Sequence, residues 1–352
     1  MNIPVLLISN FLSASGGSRG VCEELAIRLG GTGAPVVTAS KNAARLPRLL
    51  DMLGTAFFRR KEYSVAQVDV FSGSAFYWAE ATCAMLRLLH KPFILTLHGG
   101  NLPEFAQRKP ARVRRLLSSA EIVTVPSRYL QKKMANYCSD LRLVINALDT
   151  TRCSFRLRTA AKPSLVWLRS FHEIYNPALA PKVLKMLSGK FPDIQLTMVG
   201  PDKKDGSLNR VIGIATELGV LDRICFQLGV EKQDVPKWLQ RGDIFLNTTN
   251  VDNTPVSVLE AMACGLCVVS TDVGGLPYLL NDGHDALLVP PNDAPKMAAA
   301  IESILTESTL AQKLSQNART KAEGHDWSVV LPQWEEMFQS LTNRNSTPQE
   351  SR

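Results

Sequence analysis

Short apolar runs alternate with longer amphipathic stretches along the whole chain. In the first half the runs are Val5–Ile8, Val36–Thr38, Ala66–Phe71, Phe93–Leu97, Ile122–Val125 and Leu141–Ile145. In the second half they are Leu165–Leu168, Ile194–Val199, Ile224–Leu228, Ile244–Asn247, Cys267–Thr271 and Ala286–Val289. Each is short and apolar, the pattern of a strand buried on both faces of a parallel sheet. Between them Val21, Leu25 and Leu29 recur at helical spacing, as do Leu179, Val183 and Leu187. Strand–helix alternation, twice over, predicts two Rossmann-like doubly wound α/β domains facing across a cleft. The pattern lapses in the polar stretch Phe155–Pro163, which ends in proline. This places an N-terminal domain over 1–158 and a C-terminal domain over 159–341, with a final helix over about 326–341. The polar residues 342–352 read as a disordered tail.

Composition narrows the class. A chain of 352 residues accommodates two domains. Its 45% apolar and 20% charged residues are those of a globular protein, which excludes disordered, collagenous and heptad-repeat classes. No run approaches the roughly 18 apolar residues of a membrane span. The stretch Ile3–Leu12 is broken by Pro4, Ser9 and Asn10 and lacks a basic leader, so it reads as a first strand, not a signal peptide. Seven cysteines are too sparse for a disulfide framework and fit a reducing, cytoplasmic compartment.

Charge is placed unevenly. Residues 1–158 hold 22 Lys and Arg against 10 Asp and Glu, whereas residues 159–352 hold 18 against 22. A basic half joined to a slightly acidic one points the first half at something anionic. Its clusters are Arg45/Arg48, Arg59-Arg60-Lys61, Arg108 to Arg115 and Lys132-Lys133. Solvated helix faces, an anionic membrane surface or a charged acceptor would each explain them. Nucleic acid ranks last, because no helix-turn-helix, zinc spacing or paired aromatic strand motif accompanies the charge.

Ligands of open α/β sheets bind beyond the carboxyl ends of the strands. The first such loop, Ser13 to Gly20, carries Gly16, Gly17 and Gly20. Glycines there let a backbone approach an anion at the following helix. The first glycine of a dinucleotide fingerprint is replaced by Ser15, and Ala39-Ser-Lys-Asn offers no ribose-binding acid. A nicotinamide dehydrogenase is disfavoured.

The most informative segment runs from Asn250 to Gly265. Thr254 reads as a helix cap and Pro255 as the first helical residue. The amides of Val256, Ser257 and Val258 would then be free at the helix start, a receptor for phosphate or diphosphate. Asp252 precedes the helix, and Glu260 lies four residues after Val256 on the same face. Carboxylates are poor phosphate ligands but good acceptors for sugar hydroxyls. An anion site with hydroxyl acceptors at either end describes a nucleotide sugar. The competing reading is an ordinary polar surface helix.

The run Asp252–Gly265, with its continuation through Gly274-Gly275-Leu-Pro277 and Asn281–Pro291, resembles the donor half of the family-4 retaining glycosyltransferases of the GT-B fold, the glycosyl transferases group 1. That signature has two glutamates separated by seven residues. Asp252 matches the first and is one methylene shorter; Glu260 matches the second. Further matches are His98-Gly-Gly, the Gly16-Gly17 loop, Arg169, Val199-Gly200-Pro201 and Trp327, which resembles the aromatic of a final helix that returns to the first domain. The resemblance implies that Glu260 holds the donor ribose, that Asp252 contacts the donor sugar and that Arg169 neutralises the diphosphate. It implies that the amides of Thr254, Val256 and Ser257 serve the sugar and diphosphate. Gly16, Gly17, Gly200, Val230 and Asn253 complete the implied donor site, and His98 sits by the reacting sugar.

The implied activity is metal-independent transfer of a hexose from a nucleotide diphosphate sugar to a glycan or lipid-linked acceptor, with retention, in polysaccharide or glycolipid biosynthesis. No cofactor is expected. An enzyme of this kind would be cytoplasmic, or peripheral on the inner face of the cell membrane. Two departures stand out. The lysine usual a few residues after the arginine is absent before Lys182, which leaves Arg19 or Lys203 to supply charge. Pro277-Tyr278 stands where a glutamate is common. These departures motivate a second class, a non-catalytic sugar-binding or scaffold protein of the same fold. A phosphorylase or epimerase of the same two-domain build is a third, although no lysine presents itself for pyridoxal phosphate.

Other motifs read as structural. Cys264-Gly-Leu-Cys267 ends a helix and has no second pair, so it reads as core. His90, His172, His284 and His325 have no metal spacing and read as surface or capping residues. Phe76-Tyr77-Trp78 is core, or an exposed acceptor or membrane edge.

Overall fold

The computed structural model describes residues 3–12, 20–99 and 101–344. The chain divides into two compact units. One runs up to Asn146 and includes the stretch from Trp327 onward; the other is Ala147–Asp326.

The first unit is built on six parallel strands: β1 (Val5–Ile8), β2 (Val36–Ala39), β3 (Val65–Val70), β4 (Phe93–Leu97), β5 (Ile122–Val125) and β6 (Leu141–Leu143). Their order is β2-β1-β3-β4-β5-β6. Every residue of β1, β3, β4 and β5 is buried, as continuous apolar runs require when helices cover both faces. The intervening helices are α1 (Val21–Gly31), α2 (Arg45–Phe58), α3 (Ser74–Leu88), α4 (Leu102–Arg108), α5 (Pro110–Leu117) and α6 (Arg128–Met134). Local chemistry sets their ends. The Ser127 hydroxyl caps α6 by accepting from the Leu130 amide at 3.1 Å.

The second unit repeats the plan with β7 (Ser164–Leu168), β8 (Gln195–Val199), β9 (Ile224–Gln227), β10 (Ile244–Asn247), β11 (Cys267–Thr271) and β12 (Leu287–Val289). Its helices are α7 (Leu179–Ser188), α8 (Ser207–Glu217), α9 (Val235–Leu239), α10 (Val256–Ala263), α11 (Leu276–Leu279), α12 (Ala294–Thr306) and α13 (Ser308–Glu323). The order is β12-β11-β10-β7-β8-β9, all parallel. Chain order reverses between β7 and β10, so the loops after these two strands diverge and leave a crevice, the position at which doubly wound sheets bind ligands. In the first unit the reversal falls between β1 and β3. The last helix, α14 (Trp327–Arg344), belongs to the first unit, where it packs on α1 and β3.

All twelve apolar runs are strands. Three expectations change. The units part at Asn146, ahead of 158, because the polar stretch is no free linker. The Arg158 side chain is fully buried, donating to the carbonyls of Gly242 at 3.0 Å and Cys264, and Asp243 accepts from Arg156 at 2.6 Å. These contacts bind the stretch to the second unit. The final helix continues through Arg344, three residues into the expected tail; residues 345–352 lie outside the described residues. The Arg45/Arg48 cluster is also split. Arg48 is buried, donating to Asn42 O and Ala43 O at 2.7 Å and lying over the Trp78 ring, so it holds a loop instead of facing an anion. Among the described residues no helix is long and apolar enough to cross a membrane.

Candidate active site

The site in the second unit begins at the carboxyl end of β7. Arg169 follows this strand directly. Its guanidinium pairs with Asp252 and lies over the Tyr175 ring, 4.4 Å from the centroid. Burial lowers the Arg169 pKa, while the Glu260 carboxylate opposes the shift. A guanidinium stays charged through shifts of this kind. Glu260 in turn accepts from the Lys232 ammonium, with Nζ 2.6 Å from Oε1. Asp252, Arg169, Glu260 and Lys232 therefore form a row of alternating sign, and both acids expected to flank the anion site act on one arginine.

The backbone that carries the row is stitched in place. Trp167 Nε1 donates to Thr248 Oγ1 at 2.9 Å, and Thr248 Oγ1 donates to Tyr175 O at 2.8 Å. The Asn250 amide donates to Ile174 O at 2.8 Å, which ties the loop after β10 to the loop after β7. Asp252 Oδ1 accepts from the Asn253 amide at 2.9 Å. From the other side the Gly275 amide donates to Asp252 O at 3.0 Å. A Cβ on Gly275 would lie 1.9 Å from Asn253 O, so only glycine permits this approach. Gly200, at φ +145°, plays the same part beside β7: a Cβ there would lie 1.8 Å from Arg169 O.

The helix start differs from expectation. Pro255, not Thr254, is the N-cap, with extended backbone at ψ 117°, and α10 opens at Val256. Proline serves there because it has no amide to leave unsatisfied. The Val258 amide donates back to Pro255 O at 3.2 Å, so two amides, those of Val256 and Ser257, remain without an acceptor among the described residues. Buried polar atoms around the row, Arg169 Nε, Asn250 Oδ1 and Ser257 Oγ, also lack a hydrogen-bond partner among the described residues. Unspent buried polar atoms cost free energy unless a ligand or water meets them. Together they present the polar atoms that an anionic ligand would need.

Sequence reasoning missed Lys232 and Tyr175. Lys203, one suggested source of charge, is exposed; its amide donates to Phe171 O at 3.2 Å. Arg19, Gly16 and Gly17 lie outside the described residues. Val230 is half-buried at the head of the loop that carries Lys232.

His98 belongs to the first unit. It follows β4, its amide donates to Val70 O at 2.8 Å and its ring stacks on Phe71 at 5.1 Å. Its Nε2 is 2.9 Å from Oδ1 of the buried Asp69, which also accepts from Ser9 Oγ and, at 2.6 Å, from Gln67 Nε2. Burial raises the Asp69 pKa, but the His98 charge and these hydrogen bonds outweigh it and hold the carboxyl below its ordinary value. The imidazole is thereby oriented by a carboxylate that no spacing rule revealed.

The remaining motifs are structural as expected, with one exception. Cys264 and Cys267 are buried free thiols. His172 caps a short 3-10 turn by accepting from the Ile174 amide at 3.1 Å, and His90 and His284 are exposed. His325 is buried, not on the surface. Of Phe76-Tyr77-Trp78, Phe76 is core, Trp78 packs against it and Tyr77 is exposed beneath Arg112.

Residues 159–321 match the model of glycosyl transferases group 1. Solved structures share the architecture along nearly the whole chain. Sucrose-phosphate synthase from Thermosynechococcus elongatus superposes with a TM-score of 0.79 at 18% identity, covering 97% of this chain and 100% of that one. The Anabaena protein HepE in complex with UDP-glucose gives 0.77 at 16%, covering 96% and 100%. The chain has the GT-B fold, and its second unit carries the match to the group 1 glycosyltransferases.

Among its relatives, the D-inositol 3-phosphate glycosyltransferase of Paenarthrobacter aurescens is 25% identical over 287 residues, 75% of this chain and 69% of that protein. The namesake from Mycobacterium sp. strain KMS is 28% identical over 149 residues, 41% of this chain and 34% of that protein. The chain thus spans about a third of the mycobacterial relative it matches.

Proposed function

We propose that this glycosyltransferase transfers a hexose from a nucleotide diphosphate sugar to a glycan or lipid-linked acceptor, with retention and without a metal, in polysaccharide or glycolipid biosynthesis. The alternating row Asp252–Arg169–Glu260–Lys232, set at the switch point between β7 and β10, carries this reading. On donor binding the ribose hydroxyls displace the Lys232 ammonium from Glu260. Lys232 and Arg169 then take the diphosphate oxygens, beside the free amides of Val256 and Ser257. Lys232 supplies the second cation that the segment after Arg169 lacks. Asp252 accepts from a hydroxyl of the donor sugar, and His98, aligned by Asp69, serves the reacting sugar.

The bond from the anomeric carbon to the diphosphate oxygen breaks as the acceptor oxygen attacks from the same face. The acceptor proton passes to the leaving diphosphate. The chain contributes positioning and charge stabilisation, not a nucleophile. The UDP and UDP-glucose complexes of HepE make uridine diphosphate sugars the first donors to try. The acceptor would lie at an anionic membrane surface on the cytoplasmic side, met by the basic first half.

Incubation with UDP-, GDP- and ADP-hexoses tests this. The expected result is release of nucleoside diphosphate and of a sugar whose anomeric configuration, read by NMR, is retained at first appearance, with loss of both in Glu260→Ala. Binding without turnover would support the second reading, a sugar-binding protein. The specific observation behind that reading is that the shortened acid Asp252 is already engaged by Arg169.

A further inference from the structure

The helix α2 presents an apolar face that no other described residue covers. Leu46, Leu50 and Phe57 share one stripe at helical spacing and are 66%, 61% and 40% exposed; Phe58, at the end of the helix, is 80% exposed. The residues that α2 buries are Arg48, Met52 and Ala56, on a different side. A helix whose core face is so small gains little from packing, so an exposed row of two leucines and two phenylalanines requires another explanation. Charge supplies one. Lys41 and Arg45 stand exposed at the start of the helix, and Arg59, Arg60 and Lys61 follow its end. The acids nearby are Asp51, within the helix, and Glu62, which pairs with Arg59 at 2.5 Å. The cations outnumber them. Arg60 folds back over Phe57, 4.7 Å from its ring centroid, and donates to Phe57 O, which anchors one cation at the edge of the apolar stripe.

We infer that this face of α2 is a membrane-docking surface that inserts Leu46, Leu50, Phe57 and Phe58 among the acyl chains of an anionic bilayer while Lys41, Arg45, Arg60 and Lys61 contact its headgroups. An apolar face flanked by basic residues is what a helix lying in a membrane interface needs, because apolar burial and headgroup attraction add. Charge complementarity commits the occupant to a lipid surface. A second copy of this chain would bring the same cations against themselves. The inference rests on the proposed membrane-side acceptor only for its purpose; the surface itself is independent of the donor site.

The test is co-sedimentation of the full chain with vesicles of phosphatidylcholine alone and of phosphatidylcholine with phosphatidylglycerol. The wild-type protein is expected to pellet with the anionic vesicles and to be released as salt is raised. The double variant Leu50→Ser/Phe58→Ser and the variant Arg60→Glu/Lys61→Glu are each expected to bind about tenfold more weakly. All these side chains but Arg60 are exposed, and unchanged thermal unfolding confirms that the variants fold. Equal binding by wild type and both variants, or none by wild type, overturns the inference. So does a wild-type dimer in light scattering that the Leu50/Phe58 variant abolishes. The vesicle assay needs no donor, so retained vesicle binding with no nucleotide binding would remove only the donor-site reading, and the converse result would remove only this one.

Discussion

Lys232 and Glu260 form an ion pair at 2.6 Å, although one comes from the turn before α9 and the other from within α10. The pair arises because the loop after β9 leads into α9, which packs on α10. Glu260 is largely buried and Lys232 half-exposed, so the acid is held ready and the base is free to move. In a donor complex the same two groups would part, one to a ribose and one to a phosphate.

That exchange sets the first prediction. Lys232→Met should weaken binding of a nucleoside diphosphate by about ten- to hundredfold, the range for losing a hydrogen bond to a charged group. Binding of the corresponding nucleoside, which has no phosphate, should change little. Calorimetric titration with UDP and uridine checks both. Equal losses would mean that Lys232 only holds Glu260 in place.

Gly275→Ala should damage the site without touching a charged group. Its Cβ would fall 1.9 Å from Asn253 O, so the loop that carries Asp252 must shift. We expect a stability loss of about 1–3 kcal/mol, the usual cost of overpacking, together with loss of the thermal stabilisation that nucleotide gives. Denaturant unfolding with and without nucleotide measures the two effects separately.

A third prediction concerns pH. Asp69 has its folded pKa depressed, so its contribution to stability is present above the unfolded value of about 4 and is lost as pH falls through the lower folded value. Asp69→Asn should destabilise the chain near neutrality by about 1–3 kcal/mol, since buried partners lose a charged acceptor. The gap to wild type should shrink below about pH 4. Urea unfolding across this range follows it. A gap that stays constant with pH would show that the carboxylate charge is immaterial.

The strands and helix α10 were legible in the sequence because they rest on local pattern: apolar runs of strand length, and Pro255 at the start of a helix. What was hidden depends on tertiary packing. Arg158 and Arg48 look like solvated charges but spend their donors on buried carbonyls. Lys232 is separated from Glu260 by helix α9, strand β10 and their loops, and nothing in its neighbours marks it. Asp69 sits inside a strand otherwise rich in valine, where only the register against β1 and β4 brings Ser9 and His98 onto it. The helix cap was displaced by one residue because proline fits both the last extended and the first helical position.

Calorimetric titration of UDP-, GDP- and ADP-hexoses into the wild-type chain and into Glu260→Gln tests the central claim most directly. The account predicts saturable binding of at least one of these donors to the wild type and about tenfold or greater weakening in the variant, since the amide keeps the shape of the side chain but loses the charged acceptor. Absence of binding to the wild type, or equal affinity in the two proteins, would contradict it.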